Sequence, residues 1–341
     1  MDKKIRIGIL GCANIAEKYS IKAFQQIDNA EVISIASRDQ EKARDWASRF
    51  GIKAEDSYDT LIHNPAIDAV YIPLPVGLHK EWILKAAAAK KHVIAEKSLA
   101  ESLASVKEIV TACQKNGVVL YENFMCDFHP QHQAVLDLMQ DGKIGKPFIF
   151  RGSFGRSPFS EDNIRTNKDL GGGVLNDMGC YTVFMARKIL GSEPKAVTCT
   201  LSYDTESGVD NNGVAFLEFD NDVSAEVAFS FDAVYQNNYS LWGSEGLIKV
   251  ERAYSIPSNM KPEVKFIKND GGQETSTDLD IPAANHFELI FHDFCDTILN
   301  QERMNDKIGI IYSNLINQAK VLEAMRVSSV ENRKVKLEEI S

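Results

Sequence analysis

Three side chains in this sequence can together manage a proton on a carbonyl oxygen: Lys97 in Ala95-Glu96-Lys97-Ser98, and Asp177 and Tyr181 in Gly171-Gly172-Gly173-Val174-Leu175-Asn176-Asp177-Met178-Gly179-Cys180-Tyr181. Reducing a ketone requires a hydride and a proton for the developing alkoxide. A free tyrosine, with a pKa of about 10, is a slow acid at neutral pH. A neighbouring lysine ammonium lowers that value and stabilises the oxyanion. Tyr181 is therefore read as the general acid and Lys97 as its tuner, hydrogen-bonded to the reacting oxygen. The reverse assignment, with Lys97 as proton donor, stays open. Asp177 lies four residues before Tyr181, on the same helix face, where it would orient a hydroxyl or Lys97. The competing structural readings are an exposed lysine before a helix, a packed helix tyrosine and a salt-bridged aspartate.

The hydride points to a dinucleotide. Gly8-Ile9-Leu10-Gly11-Cys12-Ala13-Asn14-Ile15-Ala16 follows an apolar run and opens a helical one. It is a weakened G-x-G-x-x-G, with Gly11 for the turn and Ala13 and Ala16 as the small residues that allow backbone approach and helix packing. Gly11, Cys12, Ala13, Asn14 and Ile15 are thus candidates to hold a pyrophosphate at a helix start. The next strand ends in Ser37-Arg38-Asp39. A hydroxyl and a guanidinium suit a ribose 2′-phosphate, whereas a carboxylate would repel it. The expected cofactor is NADP(H), with Asp39 keeping NAD(H) as the lesser alternative. Pro73, Leu74 and His79 after the strand 69–72, Glu96 and Lys97 after the strand 92–95, Asn123 and Arg165 complete the candidate cofactor set. His129 and His132 are candidates for substrate contact, and no metal site is expected because no third ligand accompanies them.

These residues need strand ends to carry them. Ile5–Leu10, 32–36, 69–72, 92–95 and 118–121 read as strands separated by helices over about 14–26, 40–50, 78–89 and 103–116. That rhythm means βαβ units and a parallel sheet, whose strand C-termini bind ligands. After about residue 123 the texture changes. A helix over 130–139, a strand over 147–154 and a helix ending near 190 precede period-two alternation from 196 to 250, with turns expected at Asp210-Asn211-Asn212-Gly213 and Asp220-Asn221-Asp222. Helices follow at 287–299 and 308–327. The fold class is α/β: a Rossmann domain over 1–123, then an α+β domain over 124–341 with an open, largely antiparallel sheet for substrate binding and oligomerisation.

Composition excludes several classes. With 341 residues the chain exceeds one ordinary core, and 44% apolar and 25% charged residues fit a globular protein. A net charge of −10 disfavours nucleic acid. Neither a bilayer-spanning run nor a signal peptide is read. Cys12, Cys113, Cys126, Cys180, Cys199 and Cys295 match no zinc spacing and read as reduced thiols of a cytoplasmic protein.

Taken together, the motifs resemble the Gfo/Idh/MocA oxidoreductases over essentially the whole chain. Glu96-Lys97-Ser98 is similar to that family's Glu-Lys-Pro, with serine in place of proline, and Val76 stands where many relatives have asparagine. Tyr181, in place of a histidine common among inositol dehydrogenases, resembles the branch of glucose–fructose oxidoreductase, dihydrodiol and D-xylose dehydrogenases and nucleotide-sugar 3-ketoreductases. Glu122-Asn123-Phe124-Met125 with His129 and Gln131-His132, and Trp242-Gly243-Ser244-Glu245-Gly246 with Glu251-Arg252-Ala253-Tyr254, are most similar to the 3-ketoreductases. The resemblance implies NADPH-dependent reduction of a keto sugar. The alternatives are an NADP-dependent free-aldose or diol dehydrogenase and a non-catalytic NADP(H)-binding regulator. An uncovered sheet face such as 214–231 implies a homodimer or homotetramer through the C-terminal sheet.

Overall fold

The computed structural model describes residues 3–159 and 163–341, with the Asp270 side chain left out. The chain forms two compact units that no single cut separates: Met1–Met125 with Phe287–Ile316, and Cys126–His286 with Asn317–Ser341.

The first unit holds a six-stranded sheet: β1 (Ile5–Leu10), β2 (Ala30–Ala36), β3 (Lys53–Ala54), β4 (Ala69–Ile72), β5 (His92–Ala95) and β6 (Leu120–Glu122). They run parallel in the order β3-β2-β1-β4-β5-β6. The direction of winding reverses between β1 and β4, which opens a crevice beyond their C-terminal ends. Helices α1 (Ile21–Gln26), α2 (Gln40–Phe50), α3 (Tyr58–His63), α4 (Val76–Ala88) and α5 (Leu103–Asn116) connect the strands. The helix expected over 14–26 opens with a π-helical turn, Ala16–Ser20. Capping fixes three of the others: Ser57 and Ser102 accept backbone N–H groups at the starts of α3 and α5, and Gly51 and Gly117 end α2 and α5 in left-handed conformation. Later in the chain, Phe291 stacks on Phe24 with ring centroids 3.8 Å apart. Tyr121 donates its hydroxyl proton to Asp293 at 2.8 Å, and Tyr312 donates to the Val118 carbonyl.

The second unit holds α6 (Pro130–Gln140), α7 (Cys180–Leu190) and a nine-stranded sheet. Its strands are β7 (Pro147–Gly155), β8 (Ala196–Tyr203), β9 (Asp210–Glu218), β10 (Ser224–Ser230), β11 (Gln236–Gly243), β12 (Gly246–Glu251), β13 (Val264–Asp270), β14 (Gln273–Asp278) and β15 (Val335–Lys336). The order is β14-β13-β12-β11-β7-β10-β9-β8-β15, antiparallel throughout except for β7 beside β10. Helices α8 (His286–Leu299) and α9 (Asn305–Glu331) begin in one unit and continue in the other. One face of the sheet carries α7 and a core of Phe150, Phe229, Tyr239 and Tyr254. The other exposes Phe148, Val214, Phe216 and Trp242.

Asp210-Asn211-Asn212-Gly213, expected as a turn, lies inside β9. The reversal comes earlier, where the Asp204 carboxylate accepts the N–H groups of Glu206 and Ser207 at 3.2 and 2.7 Å. Gly213 serves packing instead: a Cβ there would collide with the Phe229 ring.

Candidate functional site

The candidate residues fall into two groups, one in each unit. In the first, the turn after β1 lies at the sheet's winding reversal. Gly11 has φ +116°, and a Cβ on it would come within 2.8 Å of the Leu74 side chain. Only glycine suits that position, and the N–H groups that follow enter the helical stretch with Asn14 and Ile15. This cradle fits a dinucleotide pyrophosphate. At the end of β2, Ser37 is buried and its Oγ accepts the Asp39 N–H at 3.1 Å. Asp39 caps α2, accepting from Glu41 N and Lys42 N at 3.0 Å each. Its carboxylate is therefore occupied with the helix start. Arg38 is exposed beside it. Lys42 was not singled out by sequence reasoning, yet its Nζ donates to the Cys12 carbonyl at 2.8 Å and so joins α2 to the glycine turn. The signal available was a lysine in the first turn of the helix that follows Ser37-Arg38.

The loop bearing Lys97 is gripped from several sides. Glu96 Oε1 accepts the Tyr71 hydroxyl and the Asn123 Nδ2–H, each at 2.7 Å. Because Tyr71 spends its proton on Glu96, the Ser20 hydroxyl donates to it in turn at 2.8 Å. Burial pushes the Glu96 carboxyl upward, against Tyr71, Asn123 and the Lys97 charge, which favour its ionised form. His79 is fully buried, and its ring bridges two loops, reaching the Leu74 carbonyl at 2.7 Å and the Ser98 carbonyl at 2.9 Å. Burial lowers its pKa, opposed by those carbonyls. Glu122 Oε1 accepts the Leu99 N–H at 2.8 Å. The Lys97–Ser98 peptide is cis. Pro73 and Leu74 thus share a scaffold with Lys97, although they belong to different loops.

In the second unit, Gly171-Gly172-Gly173 leads into a π-helical turn, Leu175–Gly179, that continues as α7. Gly173 has φ +123°, and a Cβ on it would collide with the Asp210 carboxylate. That carboxylate accepts the Leu175 N–H at 2.6 Å, and Arg326 holds the Asn176 amide oxygen at 2.5 Å. The turn that carries Asp177 and leads into Tyr181 on α7 is thereby fixed at its start. Asp177 pairs with Arg165 at 2.8 Å. Tyr181 is 5% exposed, with its ring against Phe154 at 5.5 Å and Tyr254 at 6.2 Å. His129 and His132 are buried: Nδ1 of His129 accepts the Gln131 N–H at 3.3 Å, and Nε2–H of His132 donates to the Ala253 carbonyl at 2.9 Å. The candidates thus gather as Gly11 with Leu74, as Glu96, Asn123 and His79 around the Lys97 loop, and as Arg165 with Asp177.

Comparison with known proteins sharpens this picture. The family described as "Oxidoreductase family, NAD-binding Rossmann fold" matches residues 5–124, and the GFO/IDH/MocA C-terminal domain matches residues 132–249. The chain is 36% identical over 328 residues to a dTDP-3,4-didehydro-2,6-dideoxy-alpha-D-glucose 3-reductase of Saccharopolyspora spinosa, covering 95% of this chain and 97% of that one. It is 36% identical over 272 residues to D-xylose 1-dehydrogenase (NADP(+)) 2 of Haloferax volcanii, covering 79% of this chain and 82% of that one. Among solved structures, a 3-ketoreductase from Actinomadura kijaniata in complex with NADP and TDP-benzene superposes with a TM-score of 0.89 at 33% identity, covering 96% of this chain and 98% of that one.

Proposed function

The chain belongs to the Gfo/Idh/MocA oxidoreductase family, and on that premise we propose that it reduces the C-3 ketone of a nucleotide-linked sugar with NADPH. The observation that carries this reading is the likeness to sugar 3-reductases, which runs through both units from end to end. NADPH supplies the hydride when bound. Gly11 leaves room for its pyrophosphate. Ser37, Arg38 and Lys42 offer its 2′-phosphate a hydroxyl and two cations, while Asp39 is turned to capping α2. Tyr181 donates the proton to the developing alkoxide, Lys97 lowers the pKa of that phenol and hydrogen-bonds the same oxygen, and Asp177 orients a sugar hydroxyl. The scaffold around Glu96 and His79 supports the lysine's part, because a tuning charge acts only when its position is held.

The test is a panel of nucleotide-linked 3-keto sugars against free aldoses, with both cofactors, on wild type and Tyr181→Phe. Turnover of the keto sugars with NADPH is expected, and a kcat at least about tenfold lower in the variant. An unchanged kcat removes Tyr181 from the role. Oxidation of free aldoses alone selects the second reading, a D-xylose-type dehydrogenase, which the Haloferax volcanii relative favours.

The chain is further read as a homodimer or homotetramer joined through the exposed face with Phe148, Val214, Phe216 and Trp242. A cytoplasmic location suits its six free cysteines. No helix among the described residues is long and apolar enough to cross a membrane.

A further inference from the structure

Arg156, Arg165 and Arg252 are scattered in the chain, yet all three reach one end of the second sheet, and each guanidinium lies against an aromatic ring. Arg156 sits over Phe159 at 3.7 Å, Arg165 over the same ring at 5.2 Å, and Arg252 over Tyr235 at 4.8 Å. The register explains the gathering. Gly155 pairs with Gln236 and Asn238 with Glu251, so Arg156, Tyr235 and Arg252 flank the same edge of β7, β11 and β12. Buried Asn237 ties the edge together. Its Nδ2 donates to the Tyr235 hydroxyl and the Ser255 carbonyl, both at 2.8 Å, and its Oδ1 accepts the Tyr254 N–H at 2.7 Å. Arg252 donates to the Tyr235 hydroxyl at 3.0 Å. Arg165 has Asp177 for a counter-charge, but among the described residues neither Arg156 nor Arg252 forms an ion pair. Burial, and then the like charge of Arg165, lower the Arg156 pKa, against the opposing charge of Asp177. An anion would relieve that repulsion.

We propose that this cluster seats the nucleoside diphosphate of the substrate, with Arg156 and Arg252 on the phosphates and the half-exposed Tyr235 ring under the base. The proposal rests on the reading above that the sugar is nucleotide-linked. Its scale fits. The Tyr181 ring lies on Phe154 and Tyr254, and each of these is two residues from one of the arginines. On the Phe154–Arg156 side the two residues of extended chain span roughly 6–7 Å, about one pyranose ring, and on the other side the chain bends at Arg252, whose φ is +52°. A ketone at the Tyr181 hydroxyl would therefore leave the glycosidic phosphate within reach of the guanidinium groups. Planar guanidinium forks match phosphate oxygens two at a time. Stacking on a tyrosine is tolerant of base identity.

Thymidine diphosphate and inorganic pyrophosphate are the probes, titrated calorimetrically into the NADP-loaded protein. For thymidine diphosphate, Arg156→Gln and Arg252→Gln should each raise Kd about tenfold or more, with the Kd for NADP unchanged as the check on folding. Tyr235→Ala should weaken thymidine diphosphate about fivefold or more and leave pyrophosphate unaffected. Wild-type affinity for thymidine diphosphate in both arginine variants overturns the proposal. So does a wild type that fails to bind thymidine diphosphate. If that same wild type still reduces nucleotide-linked keto sugars, only the cluster's role falls; if it does not, the nucleotide-linked reading falls with it.

Discussion

Single residues decide the cofactor. Asp39 is the acid next to Arg38, and its Oδ1 is bound to two helix N–H groups. Arg38 remains exposed, and Lys42 reaches across to the glycine turn. Arg38→Ala should raise KM for NADPH about tenfold, the value of one charge-assisted hydrogen bond, and change KM for NADH little. Steady-state kinetics with both cofactors measure this directly, and a wild type that prefers NADH would sink the assignment. The placement of Gly11, Ser37, Arg38 and Lys97 beyond strand ends, and of Tyr181 at a helix start, was readable in the sequence, because those signals are local. Lys42 was not, since its importance comes from a contact 30 residues back along the chain.

At the scale of elements, the π-helical turn Leu175–Gly179 is set by what surrounds it. Gly173 lies in a left-handed region and faces the Asp210 carboxylate that caps the turn. Gly173→Ala should cost about 2 kcal/mol or more, lowering Tm by at least about 4 °C, and should lower kcat by moving Tyr181. By contrast, Gly309 in α9 has open space around its Cβ position, so Gly309→Ala should hold or raise Tm. Differential scanning calorimetry of the pair separates the effects; equal shifts would refute the argument. Strands 69–72 and 92–95 and the helix 103–116 matched their sequence readings, because apolar runs and caps are local. The β13–β14 hairpin escaped notice because Gln273–Asp278 is exposed and polar along its whole length, without alternation. The arginine cluster was equally hidden, since only sheet register joins positions 156 and 252.

For the molecule as a whole, acid is the vulnerable direction. Burial lowers the pKa of His92 and His129 to about 4 and of His132 and His286 to about 3. Geometry agrees: Nδ1 of His92 accepts the Val119 N–H at 2.9 Å, which requires a neutral ring at that atom. Unfolded histidines titrate near 6.5. A depressed folded value means that the unfolded chain binds more protons below that pH. The contribution is therefore complete above about pH 6.5 and is lost as pH falls toward 4, at up to about 5 kcal/mol per pH unit if all four take part. Tm should be nearly flat from pH 8 to 7 and fall steeply below 6.5. A Tm unchanged between pH 7 and 5 would contradict this. At neutral pH, sedimentation at micromolar concentration should show a dimer or tetramer, and Phe216→Glu on the exposed sheet face should shift it toward monomer. A wild-type monomer would rule out that interface.

The interleaving of the two units bears on how the chain is made. Phe24 and Tyr71 find Phe291 as a ring neighbour within the first unit. Phe291 leaves the ribosome about 165 residues after Met125, a delay of roughly 8–33 s at common synthesis rates. Through that interval the nascent Rossmann sheet exists with an apolar flank lacking its final cover. All strands of the second sheet except β15 are synthesised before the first unit is complete, so the order of birth along the chain is not the order in which the units close.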